Sequence, residues 1–255
     1  MTAPAKPGSA VAVKARDVIL AEVAEKYSAQ IAALAPEGMA PEHFIASLRL
    51  YMAQNPAVVE CTPASVAMGV LRAAQTGLTL GVSCDLLPFG KVCQFSPRYG
   101  GIIELALAAG ANAINADVVR EGDFFEYEKG TKPYLKHHRN FQGGAKITHA
   151  YAVAALRFGQ CVFEVATREE IDALRLKYSK SWKHGSLDEI PWYAKKTMVR
   201  KLGPYLPKNP RLAAALMFAD AKEPEDGAVD APPPETMSEH MDPETGEVVA
   251  EVESL

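Results

Sequence analysis

Between Pro191 and Pro210 the sequence contains no aspartate and no glutamate, yet Lys195, Lys196, Arg200, Lys201 and Lys208 all fall there, in a chain whose formal net charge is -4. Other features are scarce as well. The four cysteines, Cys61, Cys84, Cys93 and Cys161, are scattered without C-x-x-C spacing and point to a reduced, cytosolic compartment. No apolar run approaches the ~20 residues that span a bilayer, so a soluble chain without a membrane partner is expected. The opening "MTAPAKPGSA" lacks the charged-then-apolar layout of a signal peptide. There is no G-x-x-x-x-G-K-S/T, so nothing suggests ATP hydrolysis.

Acid is plentiful elsewhere, and its position explains the charge. Ala221 to Leu255 holds eleven acids and one base, Lys222, which leaves 26 bases and 20 acids in Met1 to Asp220. The body is thus formally +6 and the tail -10. A tail rich in Pro, Glu and Asp with few large apolar residues cannot bury enough surface to offset its ordering entropy, so residues 221–255 are predicted to be disordered. The same is expected of residues 1–12. Residues 13–220 suffice for one domain with a single core.

Along that body, Val13 to Leu34 and Pro41 to Gln54 show helical spacing, the second with Phe44, Leu48 and Met52 on one face. These two helices, spanning 13–54, are candidates for subunit contacts, although core packing explains their pattern equally well. Thr62 as N-cap, Pro63 at the first helical position and Gly77 as a stop frame a third helix, apolar and small enough to pack centrally. "DLLPFGKVCQF" reads as two strands turning near Gly90, and "IIELALAAG" as a short helix ended by Gly110. "NAINADVVREGDFFEYEKG" reads as a hairpin turning at Gly122, and "AKITHAYAVAALRFGQCVFEVAT" as a clearer one with Phe158-Gly159 at its bend. Thr167 and Glu170 form a capping box, and Pro191 opens the last substantial helix. The order implies an α+β fold, a mostly antiparallel sheet with packed helices.

Two stretches carry chemistry. On a helical wheel Tyr193, Lys196, Thr197, Arg200 and Lys201 share one side of the last helix, with Trp192, Ala194, Met198, Val199 and Leu202 on the other and Lys195 intruding on the apolar side. Cations, a hydroxyl and an aromatic on one anchored helix suit a phosphate backbone. An ordinary solvated face is the competing reading, but such faces mix signs and this one does not. The second stretch, "KVCQFSPRYGGIIELA", places Arg98 and Tyr99 in a turn ahead of Gly100 and Gly101 at a helix start. Backbone N–H groups there favour an anion, and the aromatic can stack on bases. The competing reading is a strand-to-helix turn with a half-buried Tyr. His137, His138 and His149 match no standard metal-ligand spacing, and a basic loop accounts for the first two. Glu121, Asp123, Glu126 and Glu128, conceivable as nuclease carboxylates, read better as a solvated edge.

"VVECTPASVAMGVLRAAQTGLTLG", "LLPFG", "CQFSPRYGGIIELA", "ADVVREGDFF" and "PWYAKKTMVRKLGPYLP" follow one another in the order expected of the RecT family of phage and prophage single-strand annealing recombinases. The chain resembles that family from about Val59 to Pro207. The resemblance implies an α+β annealing-protein fold, binding of single-stranded DNA and of the annealed duplex, and annealing without ATP. It also implies assembly as a ring or helical filament, a partner exonuclease and a place in the bacterial cytoplasm, while the acidic tail is a candidate for contact with host replication proteins such as single-strand binding protein. No cofactor is required, and Mg²⁺ enters only as a solution ion. By position, Lys196, Thr197, Arg200 and Lys201 match the family's Lys-Thr-then-Arg helix, and Gln94, Phe95 and Tyr99 match its strand and turn. Lys91, Arg98, Gly100, Gly101, Trp192 and Lys195 complete the expected DNA-binding set.

The chain departs from the family pattern twice. Arg98-Tyr99-Gly100-Gly101 stands where the family has Gly-Tyr-basic-Gly, and Trp192 lies four residues before Lys196, closer than the family spacing. Annealing breaks no bond, so a protein that is not an enzyme is expected. The rival is an oligomeric interaction protein whose basic helix docks an acidic partner, such as its own tail; a nuclease comes third.

Overall fold

A computed structural model describes residues 10–140, 145–178 and 186–219, together with the short pairs 240–241 and 248–249. Helix α1 (Ala10–Leu34) and helix α2 (Pro41–Gln54) lead into a 3-10 turn (Pro56–Glu60) and helix α3 (Pro63–Thr76). Residues 10–12, expected to be disordered, belong to the first turn of α1; residues 1–9 lie outside the described set. The ends of α3 are set as its sequence demands: Thr62 Oγ1 accepts the Ser65 N–H at 3.4 Å, and Gly77 takes the left-handed conformation at φ 70°. Val66, Ala67, Val70, Ala73 and Ala74 are wholly buried, and α1, α2 and α7 (Pro210–Ala219) pack around them.

Strands β1 (Cys84–Phe89) and β2 (Val92–Pro97) form the expected hairpin, with Cys84, Leu86, Cys93 and Phe95 inward and Asp85, Leu87, Gln94 and Ser96 outward. Helix α4 (Tyr99–Ala108) follows. Next come β3 (Ala113–Arg120), β4 (Phe124–Glu128), β5 (Tyr134–His138), β6 (Ile147–Ala155) and β7 (Cys161–Thr167), then α5 (Arg168–Tyr178) and α6 (Pro191–Leu202). Among the described residues every pair of strands is antiparallel. The strands are divided among small sheets, the largest running β3-β6-β7. The capping box closes as read, Glu170 N–H to Thr167 Oγ1 at 3.3 Å and Thr167 N–H to Glu170 Oε2 at 3.1 Å.

Three expectations are corrected. β3 and β4 do not pair as a hairpin: β3 pairs with β6, placing Asp117 opposite Tyr151, and β4 with β5, placing Phe125 opposite His137. The Asp123 carboxylate sets this crossing by accepting the Arg120 N–H at 2.8 Å and the Asn140 N–H at 2.7 Å. Phe125 then stacks on Tyr151 of β6, centroids 5.7 Å apart, so the β4–β5 ribbon lies over the sheet instead of extending it. His137 and His138 therefore sit in a strand, not a loop. On the opposite face the small side chains of Ala150, Ala152 and Ala154 are fully buried, which permits close approach of α6. The third correction is α7, which follows what was read as the last substantial helix. Asn209 Oδ1 caps it by accepting the Leu212 N–H at 2.8 Å, and Phe218 meets Phe95 edge-on at 5.6 Å.

One core unites these elements, with Ile19, Val23, Phe44 and Leu48 of α1 and α2 contributing as fully as the centre. The predicted disorder of the tail falls outside the described residues, except that His240–Met241 pairs with Val248–Val249.

Candidate nucleic-acid interface

Helix α6 begins at Pro191, whose missing N–H is no loss at a first helical position. Ala194, Met198, Val199 and Leu202 are completely buried, at the spacing that puts one helix face into a core. Burying four such side chains contributes several kcal/mol, at about 1.5–3 kcal/mol for each large one. The opposite side of the helix carries Tyr193, Lys196, Thr197, Arg200 and Lys201, each of them half-buried. Thr197 Oγ1 donates back to the Tyr193 carbonyl at 2.9 Å and retains its lone pairs as an acceptor.

Two residues of this helix depart from expectation. Trp192, expected on the apolar side, is 42% exposed and meets Tyr193 edge-on, because it lies in the first turn beyond the packed elements. Lys195 Nζ lies 3.0 Å from Asp117 Oδ1, and Arg139 pairs with the same carboxylate. Lys195, expected in the DNA-binding set, therefore ties α6 to edge strand β3.

The structure brings Arg98 to this helix through Asp85. The Arg98 guanidinium grips Asp85 in a fork, Nε to Oδ2 at 2.7 Å and Nη2 to Oδ1 at 2.6 Å, and Nη1 donates to the Val82 carbonyl at 3.3 Å. Tyr51 approaches the same carboxylate, and burial, followed by the charge of Asp85, pushes its phenol up to about 12. Lys196 lies within the field of this cluster. Burial pulls its ammonium below the ordinary value of 10.5, Arg200 adds to the fall, and Asp85 opposes it. Lys196 thus feels both Arg200 of its own helix and Asp85, the carboxylate that Arg98 grips near the base of the β1–β2 hairpin.

The other turn residues separate into two kinds. Gly101 is buried, and a Cβ there would run into the Ser83 carbonyl oxygen, so glycine is required for helix–hairpin packing. Gly100 faces open space. Tyr99 packs against the core, as a strand-to-helix turn requires. Gln94 shares the outward hairpin face with Asp85, whereas Lys91 sits at the far tip, with its carbonyl accepting the Thr62 N–H at 2.8 Å. At ~3.3 Å per strand residue the tip is more than 10 Å from Asp85, so Lys91 is not gathered with the others.

Tyr193, Thr197, Arg200 and Lys201 line one wall of an open cavity of about 800 Å³. Lys208 and Leu216 belong to its other walls, and both were missing from the expected set. Lys208 was legible, since it stands in the same acid-free stretch; Leu216 was not, because only the unforeseen α7 brings it there.

Several of the remaining candidates have structural partners. His137 is buried between Asp123 Oδ2 and Tyr151 Oη, each at 3.1 Å, and His149 packs against Phe125. Glu126 accepts the Tyr134 hydroxyl at 2.7 Å. Among the described residues no group of three or more His, Cys, Asp or Glu is placed to hold a metal ion.

A family model for the RecT family matches residues 42–209, two thirds of the sequence and every element from α2 to α6. The chain belongs to the RecT family. It is also 36% identical over 231 residues to Protein RecT of Escherichia coli (strain K12), a match covering 84% of this chain and 83% of that protein. The RecT-family match starts upstream of the resemblance seen from Val59 and takes in α2, the hairpin, the basic helix and Lys208. Among the described residues no helix is long and apolar enough to cross a membrane.

Proposed function

We infer that this RecT-family chain binds single-stranded DNA and anneals complementary strands in phage-type homologous recombination, with no nucleotide cofactor and Mg²⁺ present only as a solution ion. The observation that carries this reading is α6. Its buried face holds Lys196, Thr197, Arg200 and Lys201 in one half-buried row on the opposite side, and no acid of the helix interrupts them. Phosphates accept charge and hydrogen bonds from such a row irrespective of sequence, leaving bases available to a complement. Arg98 acts mainly by holding Asp85 away from the strand, and Tyr99 by anchoring α4. Annealing forms base pairs and breaks no covalent bond, so the reading needs no nucleophile or general base. A partner exonuclease supplies the single strands, and several copies of the chain act along them.

The test is energy transfer between donor- and acceptor-labelled complementary oligonucleotides, mixed with the protein at low and high salt without nucleotide. Salt-sensitive acceleration over the protein-free rate is expected. Absence of acceleration at any salt, with the protein folded, would overturn the reading and favour docking of an acidic protein partner. Shortening of the oligonucleotides with Mg²⁺ would point to a nuclease instead.

A further inference from the structure

At the bend between β6 and β7, Phe158 is 99% exposed and has φ 61°, the one positive φ of a residue other than glycine among the described residues. Gly159 follows at φ 72°, and the Gln160 N–H points back to the Arg157 carbonyl at 3.5 Å. Two left-handed residues in succession make a type I′ bend, where Asn-Gly is the favoured pair and phenylalanine is among the poorest choices. The sequence therefore places a large apolar ring where both backbone and solvent disfavour it. A local rule broken in this way, with no compensating contact among the described residues, points to a contact outside the chain.

The surroundings indicate which kind of contact. From Leu105 to Ala116 there is no charged residue, and this segment is tied to the base of the bend by Asn112, whose backbone N–H meets the Ala155 carbonyl at 2.8 Å. Exposed Leu107 lies on it. Arg157, the one cation of the bend, lies beside Gly110. A ring in this neutral setting is poorly placed to follow a phosphate backbone and well placed to enter an apolar recess of a protein.

Such a recess exists on the same chain. Across the outer edge of β7 lies a cavity of about 230 Å³ floored by Pro133, Val162, Phe163 and Tyr205 and rimmed by the Lys129–Glu164 ion pair at 3.0 Å. An apolar cavity of about 150 Å³ accommodates benzene, so this one has room for a phenyl ring. An apolar floor inside a polar rim is the anatomy of an interface hot spot. With Phe158 almost wholly exposed, its own chain leaves the ring outside that recess.

We propose that Phe158 of one copy inserts into the β7-edge recess of a neighbouring copy, making this knob and socket a self-association contact of the protein. It deepens the reading above by locating a contact between copies, but stands on the β6–β7 bend and the β7 edge and uses none of the basic residues of α6. A knob and a socket at different places on one surface can propagate from copy to copy. Cys161 lines the recess and is the exposed cysteine, whereas Cys61, Cys84 and Cys93 are buried, so its reactivity reports on occupancy.

The test uses the full chain with Phe158→Asn, which removes the ring and gives the bend its preferred Asn-Gly pair, beside Phe158→Ala. Sedimentation velocity is measured without DNA and with an oligonucleotide, together with thiol labelling of Cys161 and thermal denaturation. Expected are an unchanged or raised melting temperature for Phe158→Asn, association weakened by about tenfold or more, and faster Cys161 labelling. Unchanged assembly and labelling in Phe158→Asn would overturn the proposal, as would a wild-type chain that stays monomeric under both conditions. Unchanged assembly with weakened oligonucleotide binding would also overturn it, assigning the ring to DNA. Because assembly is read without annealing, failure of the annealing test leaves this result interpretable.

Discussion

Lys196 shows how a single side chain couples burial to binding. Burial favours its neutral amine, so in the free protein it gives up its proton below 10.5, while a phosphate beside it favours the ammonium. Binding therefore takes up a proton once pH exceeds the lowered value, and affinity for an oligonucleotide is expected to fall as pH rises above it. Lys196→Arg, which stays charged, should flatten this part of a fluorescence-anisotropy pH profile. Lys196→Ala and Arg200→Ala should each weaken binding on all sequences alike and reduce the slope of log affinity against log salt by about 1; unchanged binding in both would move the site elsewhere. Asp85 opposes the cations around it, so Asp85→Asn is expected to tighten binding a few-fold at low salt, with the gain shrinking as salt rises. The two glycines of the α4 turn offer a sharper contrast. Gly101→Ala should lower the melting temperature, because its Cβ meets backbone, whereas Gly100→Ala should leave it unchanged, because nothing stands in its way.

Among the elements, the approach to α6 over residues 186–190 is pinned by Asp188. Its carboxylate accepts the Ile147 N–H at 2.6 Å, Arg168 Nη1 at 2.8 Å and the Ser186 hydroxyl at 2.9 Å, joining β6, α5 and the approach to α6. Burial alone would raise the Asp188 pKa, but Arg168, then the Ile147 N–H and Ser186 outweigh it and bring it to about 2. A depressed carboxylate stabilises the fold above its unfolded value of 3.8, and that stability is lost as pH falls from 3.8 towards about 2. Thermal melts across this range should show a smaller acid-dependent loss for Asp188→Asn than for the wild type. Removing the carboxylate altogether in Asp188→Ala should cost about 1–3 kcal/mol at neutral pH, since buried donors lose their partner. Elements with their own signals were legible in the sequence: the Thr62 cap, the Gly77 stop and the Thr167–Glu170 box all set ends where expected. β5 was not, because its pattern of Tyr, Leu, Lys and two His alternates only once β4 and the sheet supply a face to pack on.

For the whole molecule, the division of charge gives a direct prediction. Removing 221–255 converts a chain of formal charge -4 into a body of about +6, so the truncated protein should bind oligonucleotides more tightly at low salt, with the difference vanishing at high salt. Equal affinity of the two forms at all salt concentrations would show that the tail does not compete for the basic face. Some of this protein was settled by the sequence alone: two charge territories, helix ends fixed by caps and glycines, and an α6 with one anchored and one cationic face. Those are properties of neighbouring residues, and periodicity reads them without knowing the fold. Only tertiary structure decided that β3 seeks β6 and not β4, that Asp85 occupies Arg98 and Asp117 occupies Lys195, that Trp192 faces outward, and that α7 supplies Leu216. Each of those outcomes joins residues far apart in the chain, where pairing is chosen by which buried faces and carboxylates meet, and no local pattern records that choice.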